Sequence, residues 1–195
     1  TIYHTGDWKI DDNPIVGESI DFNQLKENSE EVLAMVCDST NVLTSGRSGS
    51  ESTVRGNLAG VIKKLKNRVF VTSFASNVAR LETIAAAAKE SGRSLVVLGR
   101  SMHRMISVAR QNGILKDIDV ILSEKDAAKK KKHEVLYLCT GSQGEPRGAM
   151  MRISNQDFPH IDIDQDDCVI FSSKIIPGNE KKIFKLFNRL SELGA

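Results

Sequence analysis

Apolar positions along the chain follow two alternating patterns. Short continuous runs, Val32 to Cys37, Val69 to Phe74, Leu95 to Leu98, Ile118 to Leu122, Val135 to Cys139 and Cys168 to Ser172, have the look of buried strands. A further strand-like piece, Ile2 and Tyr3, opens the chain, and Asp21 caps a short helix that includes Leu25. Between the runs, apolar residues recur at intervals of three and four. Ser50 to Lys66 carries Val54, Leu58, Val61, Ile62 and Leu65 in this way, with Ser50 as its cap. Val78 to Ser91 follows a cap at Ser76 or Asn77 and ends at Gly92; Ser101 caps Met102 to Gln111, which Asn112 and Gly113 stop. Glu180 to Leu193 turns Ile183, Phe184, Leu186, Phe187 and Leu190 to one side. Strands alternating with helices predict an α/β fold: a doubly wound, mostly parallel sheet with helices on both faces.

Composition narrows the class only a little. The 195 residues suffice for one sizeable core, and 40% hydrophobic with 27% charged residues describes an ordinary globular protein. Lysine and arginine exceed aspartate and glutamate by 27 to 25, so any affinity for nucleic acid must come from a local patch. The Lys129 to Lys132 run is such a patch, though charge runs are commonly solvated faces. Cys37, Cys139 and Cys168 have no CxxC spacing and are expected to be reduced and buried, as in a cytoplasmic protein. No apolar stretch is long enough to span a membrane. Both ends, Thr1 without an initiator methionine and Gly194-Ala195 just past a helix, suggest an internal fragment of a longer chain.

Chemistry in such a fold gathers at the carboxyl ends of the strands. Four loops fall there: Asp38 to Asn41, Phe74 to Asn77, Gly99 to His103 and Thr140 to Pro146. The last is the centre of interest. Its small residues, Gly141, Ser142 and Gly144 around Gln143, follow a buried strand, and Pro146 is placed to open a helix whose free N–H groups favour an anion. With Arg80 and Arg100 for phosphate and Phe74 for a stacked base, the set suits a nucleotide or a nucleic acid strand. A tight strand-to-helix turn without a ligand accounts for the same glycines. Asp7, in Thr5-Gly6-Asp7, and Asp38 each follow a strand, and each is also a common turn or capping residue. The stretch Asp162 to Asp167 lacks the glycine and the glutamate of a calcium loop and is expected to be a solvated loop.

Taken in order, Thr5-Gly6-Asp7-Trp8-Lys9, Asp38-Ser39-Thr40-Asn41, Phe74-Ala75-Ser76-Asn77, Gly99-Arg100-Ser101-Met102, Thr140 to Pro146 and Ile176-Pro177-Gly178-Asn179-Glu180 resemble the ribonuclease J family, the β-CASP nucleases of the metallo-β-lactamase superfamily. The resemblance covers essentially the whole chain. It implies three parts: residues 1–37 as the end of a first metallo-β-lactamase segment, 38–172 as the β-CASP domain, and 173–195 as the return into the metallo-β-lactamase αββα domain. It implies a zinc-dependent ribonuclease with two zinc ions, acting as a 5′–3′ exonuclease and as an endonuclease in RNA maturation and decay. RNA, preferably 5′-monophosphorylated, is then the partner, and the whole protein a dimer or tetramer.

By the same resemblance Asp7 is the carboxylate that bridges the zinc ions, and Asp38 is an acidic residue beside them. Phe74, Ser76 and Asn77 hold the 5′ nucleotide, with Arg100, Ser142, Gln143 and Gly144 as further RNA contacts. Such a centre activates a water and stabilises the leaving oxygen in an in-line attack on phosphate. The family's His-x-His-x-Asp-His motif is not in this sequence, and His4, His103, His133 and His160 have no metal-ligand spacing, so the fragment alone is expected to be inactive. The alternative is a non-catalytic nucleotide or RNA-binding module with a flavodoxin-like sheet. An NAD(P) enzyme is disfavoured, because no Gly-x-Gly-x-x-Gly follows the first strand.

Overall fold

A computed structural model describes residues 1–27, 29–115, 118 and 120–195. Its centre is a five-stranded, all-parallel sheet of β3 (Val69–Thr72), β4 (Ser94–Leu98), β5 (Ile121–Leu122), β6 (Val135–Cys139) and β7 (Cys168–Phe171), in the order β5-β4-β6-β3-β7. Ahead of it lies a separate parallel pair, β1 (Ile2–His4) with β2 (Ala34–Val36), and between those two the short helix α1 (Phe22–Glu27). Strand β5 is shorter than the expected Ile118 to Leu122; that stretch runs through Asp119, which lies outside the described residues.

The connections obey one handedness. From β3 the chain steps across the sheet to β4 and on to β5, with α2 (Glu51–Ile62), α3 (Val78–Glu90) and α4 (Arg100–Gln111) packed on one face. It then reverses to β6 and β7, and α5 (Glu124–Ala127), α6 (Ala149–Ser154) and α7 (Glu180–Glu192) cover the other face. A right-handed crossover must change face when it changes direction, so the strand order and the helix layers are a single fact.

Pleating sorts the core. Val69, Val71, Leu95, Val97, Leu136 and Leu138 face α2, α3 and α4, while Phe70, Val96, Leu98, Val135, Tyr137 and Cys139 face the opposite layer. Helix α3 is buried all round from Leu81 to Ala88, and its four consecutive alanines let α2 and the sheet approach closely. Phe70 and Tyr137 stack at 4.6 Å between ring centroids, a cross-strand pair on β3 and β6. Burial pushes the Cys139 thiol well above its ordinary range, leaving an inert apolar group.

Several expectations are corrected. The Val32 to Cys37 run is an exposed strand of three residues, and Leu33 is 85% exposed, because no layer of the described structure covers that pair. Cys37 is accordingly exposed. Val61 and Phe184 point outward: the buried positions of α2 are Glu51, Leu58, Ala59 and Ile62, and those of α7 are Ile183, Leu186 and Leu190, with Phe187 edge-on to Phe171 of β7. Of the two expected caps of α3, Asn77 is the one used, accepting from the Arg80 amide at 3.1 Å. Gly99 takes the cap position of α4 with no side-chain bond, which leaves Ser101 inside the first turn. Pro146 opens no helix: residues 145–147 form an exposed turn, and α6 starts after Gly148.

The acidic stretch is not simply solvated. Asp167 is buried and takes Arg68 in a two-pronged ion pair, Nε at 3.0 Å and Nη2 at 2.7 Å from Oδ2, with Asp164 joining from the rim. Helix α7 shares the core with β6 through Leu186 and Leu190.

Candidate nucleic-acid interface

Neighbouring strands β3 and β6 send their following helices to opposite faces, which opens a crevice at their carboxyl ends. The loops on either side are Ser73 to Asn77 and Thr140 to Gly148. Phe74 is half-buried, Ser76 exposed and Asn77 half-buried. Across from them Ser142 is 2% exposed, and its hydroxyl has no hydrogen-bond partner. Thr72, the last residue of β3, is the same: buried, its hydroxyl unpaired. Among the described residues only three buried side chains lack a partner, and the third, Thr83, lies within α3. Two orphan hydroxyls at the ends of adjacent strands are a costly arrangement unless something polar meets them.

The rest of the glycine loop is differently employed from the expected cradle. Gly144, at φ +68°, lies so close to α7 that a Cβ would meet the backbone carbon and oxygen of Lys182 at 2.7 Å. Gln143 is buried and serves its neighbours. Its Nε2 donates to the Lys174 carbonyl at 2.9 Å and to Ser173 Oγ at 3.3 Å, while its Oε1 accepts from the Ile176 amide at 2.9 Å and Asn179 Nδ2 at 3.4 Å. Thus the loop is interlocked with the segment that follows β7, and of the predicted set Ser142 is the side chain left unengaged. Gln143 and Gly144 hold it in place.

The arginines divide. Arg80, expected to be available to phosphate, makes a bidentate pair with buried Glu51 at 2.6 and 2.9 Å and donates to Ser172 at 2.9 and 2.8 Å. It thereby ties α2, α3 and the end of β7 together. Arg100 is exposed at the start of α4, beside the same carboxyl edge. Gly99 just before it, at φ +115°, packs on Thr140 so tightly that a Cβ would fall 2.4 Å from Oγ1. Thr140 in turn accepts the Ala149 amide at 3.0 Å, which joins the β4 and β6 loops into one continuous rim.

Asp7 and Asp38 come off the ends of β1 and β2, which run side by side. Asp7 is exposed. Asp38 is held by Thr40, whose hydroxyl donates to Oδ1 at 2.5 Å and whose amide does so at 2.9 Å, and these bonds draw its carboxyl below the ordinary range. Trp8 closes the gap between the two loops, its indole N–H donating to the Asp38 carbonyl at 3.2 Å. Beneath lies a cavity of about 560 Å³ lined by Trp8, Cys37, Asp38, Asn41 and Arg47. No group of three or more His, Cys, Asp or Glu side chains among the described residues has the geometry to hold a metal ion.

Sequence reasoning missed the bridge between the two regions. Asp11 reaches over to α2, accepting the Glu51 amide at 3.0 Å, while Ser50 Oγ donates to the Asn13 carbonyl at 3.1 Å. The Ser50 hydroxyl and the Glu51 amide hold the Asp11 carboxyl down at about 2. Asp11 looks like a turn residue in sequence, and its partner is 40 positions away.

A sequence model of the ribonuclease J β-CASP domain matches residues 66–190. The chain belongs to the ribonuclease J β-CASP family. Ribonuclease J of Sinorhizobium meliloti is 42% identical over 195 residues, an overlap that takes in 100% of this chain and 35% of that protein. Ribonuclease J of Corynebacterium glutamicum is 39% identical over 196 residues, 100% of this chain and 27% of that one. Ribonuclease J2 of Bacillus subtilis is 33% identical over 197 residues, again across 100% of this chain and over 36% of its own length. The chain thus spans roughly a third of the length of these curated ribonuclease J relatives, 35%, 27% and 36% in turn. The matched stretch contains all five strands of the large sheet and both loops of the β3–β6 crevice.

Proposed function

We propose that this chain is the RNA-gripping part of a ribonuclease that hydrolyses phosphodiester bonds from a 5′-monophosphorylated end and also cuts internally, in cytoplasmic RNA maturation and decay. The observation that carries the reading is the unpaired, buried Ser142 hydroxyl at the β3–β6 crevice, with Phe74 on the facing loop. A phosphate oxygen is a strong acceptor for such a hydroxyl, and a half-buried phenyl ring offers a stacking face for the first base.

Asp38, kept ionised, and exposed Asp7 stand at the end of the small sheet, where acidic groups suit the neighbourhood of cations. In this reading two zinc ions belong to the whole protein, with Asp7 as one contributor, and the 195-residue chain by itself does not cleave RNA. Chelator-sensitive cleavage of a 5′-monophosphorylated RNA by the isolated chain with zinc would overturn that part. The whole protein is expected to assemble as a dimer or tetramer, a point that sedimentation of the whole protein checks.

The site itself is tested by fluorescence anisotropy with the same RNA carrying a 5′-phosphate or a 5′-hydroxyl. The phosphorylated RNA should bind about tenfold more tightly, the equivalent of one charge-assisted hydrogen bond, and Ser142→Ala should abolish the difference. Phe74→Ala should weaken both RNAs by about 1–3 kcal/mol, as loss of one stacking platform does. Equal affinity of the wild-type chain for the two RNAs would remove the phosphate from the crevice.

A further inference from the structure

The segment 172–179, between β7 and α7, runs along the carboxyl edge without strand or helix, and Lys174 to Gly178 are exposed. Backbone bonds hold this strap only near its ends: the Ser172 amide donates to the Thr72 carbonyl at 2.9 Å, and the Asn179 amide to the Ile176 carbonyl at 3.0 Å. Its other anchors come from the two crevice loops. Arg80, three residues past Asn77, donates from Nη1 to the Ser172 carbonyl at 2.9 Å. Gln143, next to Ser142, donates to the Lys174 carbonyl and accepts from the Ile176 amide, both at 2.9 Å. Among the described residues that carbonyl and that amide have no other partner.

This clasp is one-sided. Gln143 is 4% exposed, so both ends of its amide depend on the strap, whereas the strap's own groups belong to exposed residues and can turn to water. A loop held through one side chain opens locally at small cost, and anything that fixes that side chain makes the opening rarer. A phosphate at the unpaired Ser142 hydroxyl fixes residue 142, and with it the backbone that carries Gln143. That backbone has little freedom to absorb the change, because Glu145 Oε2 accepts the Gln143 amide at 2.9 Å and Gly144 is wedged against Lys182. We propose that Gln143 is a positioning residue that couples a 5′-phosphate at Ser142 to the order of the 172–179 strap, so that the preference for a phosphorylated end is set partly by a segment that does not touch the RNA. The inference rests on the RNA reading of the crevice and adds a reciprocal coupling to it: RNA tightens the strap, and a loosened strap weakens the hold on the phosphate.

The test measures hydrogen exchange of the strap amides in the whole 195-residue chain, free and saturated with the 5′-phosphate or the 5′-hydroxyl form of one short RNA. In the wild type the phosphorylated RNA should slow exchange at 172–179 about fivefold more than the hydroxyl form, the low end of couplings between sites. In Gln143→Met, which keeps the reach of the side chain without its amide, the strap should exchange at one rate with either RNA. From the other side, Ile176→Pro removes the amide that donates to Gln143 from an exposed position. It should cut the preference for phosphate, read by anisotropy, from about tenfold to about twofold, the same fivefold coupling seen in reverse. Unchanged exchange at β3 and β6 certifies the fold of each variant, and where a variant fails that check the wild-type comparison alone decides. Equal strap protection by the two RNAs in the wild type, or a full phosphate preference in Ile176→Pro, overturns this inference and leaves the crevice in place. Phosphate-dependent protection that survives in Gln143→Met means that the strap is ordered without Gln143, and overturns it too. A wild type that binds both forms equally tightly overturns the reading of the crevice, and this one with it.

Discussion

Strands β2 and β6 are built from the same kind of residue, yet one is exposed along its length and the other is buried at every position. Among the described residues, Ala34-Met35-Val36 has only β1 beside it and no covering helix, whereas Val135 to Cys139 lies between β4 and β3 with a helix layer on each face. An apolar run therefore predicts a strand but not its burial, because burial is a property of the layers that other segments supply. The two regions divide the work accordingly. The five-stranded sheet fixes the geometry of the crevice loops; the small pair presents Asp7 and Asp38 on exposed loops, tied down mainly by Trp8 and Asp11.

The contrast can be broken most forcefully in the core. Leu138→Ala should cost about 4 kcal/mol, the sum of lost transfer energy and a cavity, while Met35→Ala on β2 should cost under about 0.5 kcal/mol by chemical denaturation. Equal costs would mean that the small sheet is packed after all. Next in size is Arg80→Ala, which leaves Glu51 buried without its partner and should cost about 3 kcal/mol; Arg80→Lys should restore only part of this, because an ammonium cannot reproduce the bidentate fork. Gly144→Ala should cost about 2 kcal/mol, from the positive φ and the clash with the Lys182 backbone. Gly17→Ala, also at positive φ but with open space around it, should cost less than Gly144→Ala.

The smallest effect concerns the tie between the regions. The Asp11 carboxyl is depressed from 3.8 to about 2 when folded, so its contribution is complete above pH 4 and is lost as pH falls through 2. Wild-type chain should lose stability across that window, and Asp11→Asn should show a flatter profile there in acid-unfolding experiments. An unchanged profile would show that the Asp11 contact with α2 does not form in solution.

The sequence carried the large sheet well because its signals are local. The runs at Val69, Leu95, Val135 and Cys168 and the helices between them needed only periodicity to be placed within a few residues of their observed ends. The order of the crevice loops followed from the same alternation. What could not be read were partners distant along the chain: Arg68 with Asp167 at 99 positions, Arg80 with Glu51 at 29, Gln143 with Lys174 at 31. For the same reason the glycine loop looked like an open cradle. Nothing near Gly144 in sequence announces that the backbone of Lys182 occupies the space beside it.

The most direct test of the account is an amide chemical-shift titration of the isotope-labelled chain with a short 5′-monophosphorylated RNA. Shifts should concentrate at residues 74–77, 99–104 and 140–144, the rim of the large sheet, and leave β1 and β2 unmoved. Shifts confined to the small sheet, or absent from residues 140–144, would contradict it.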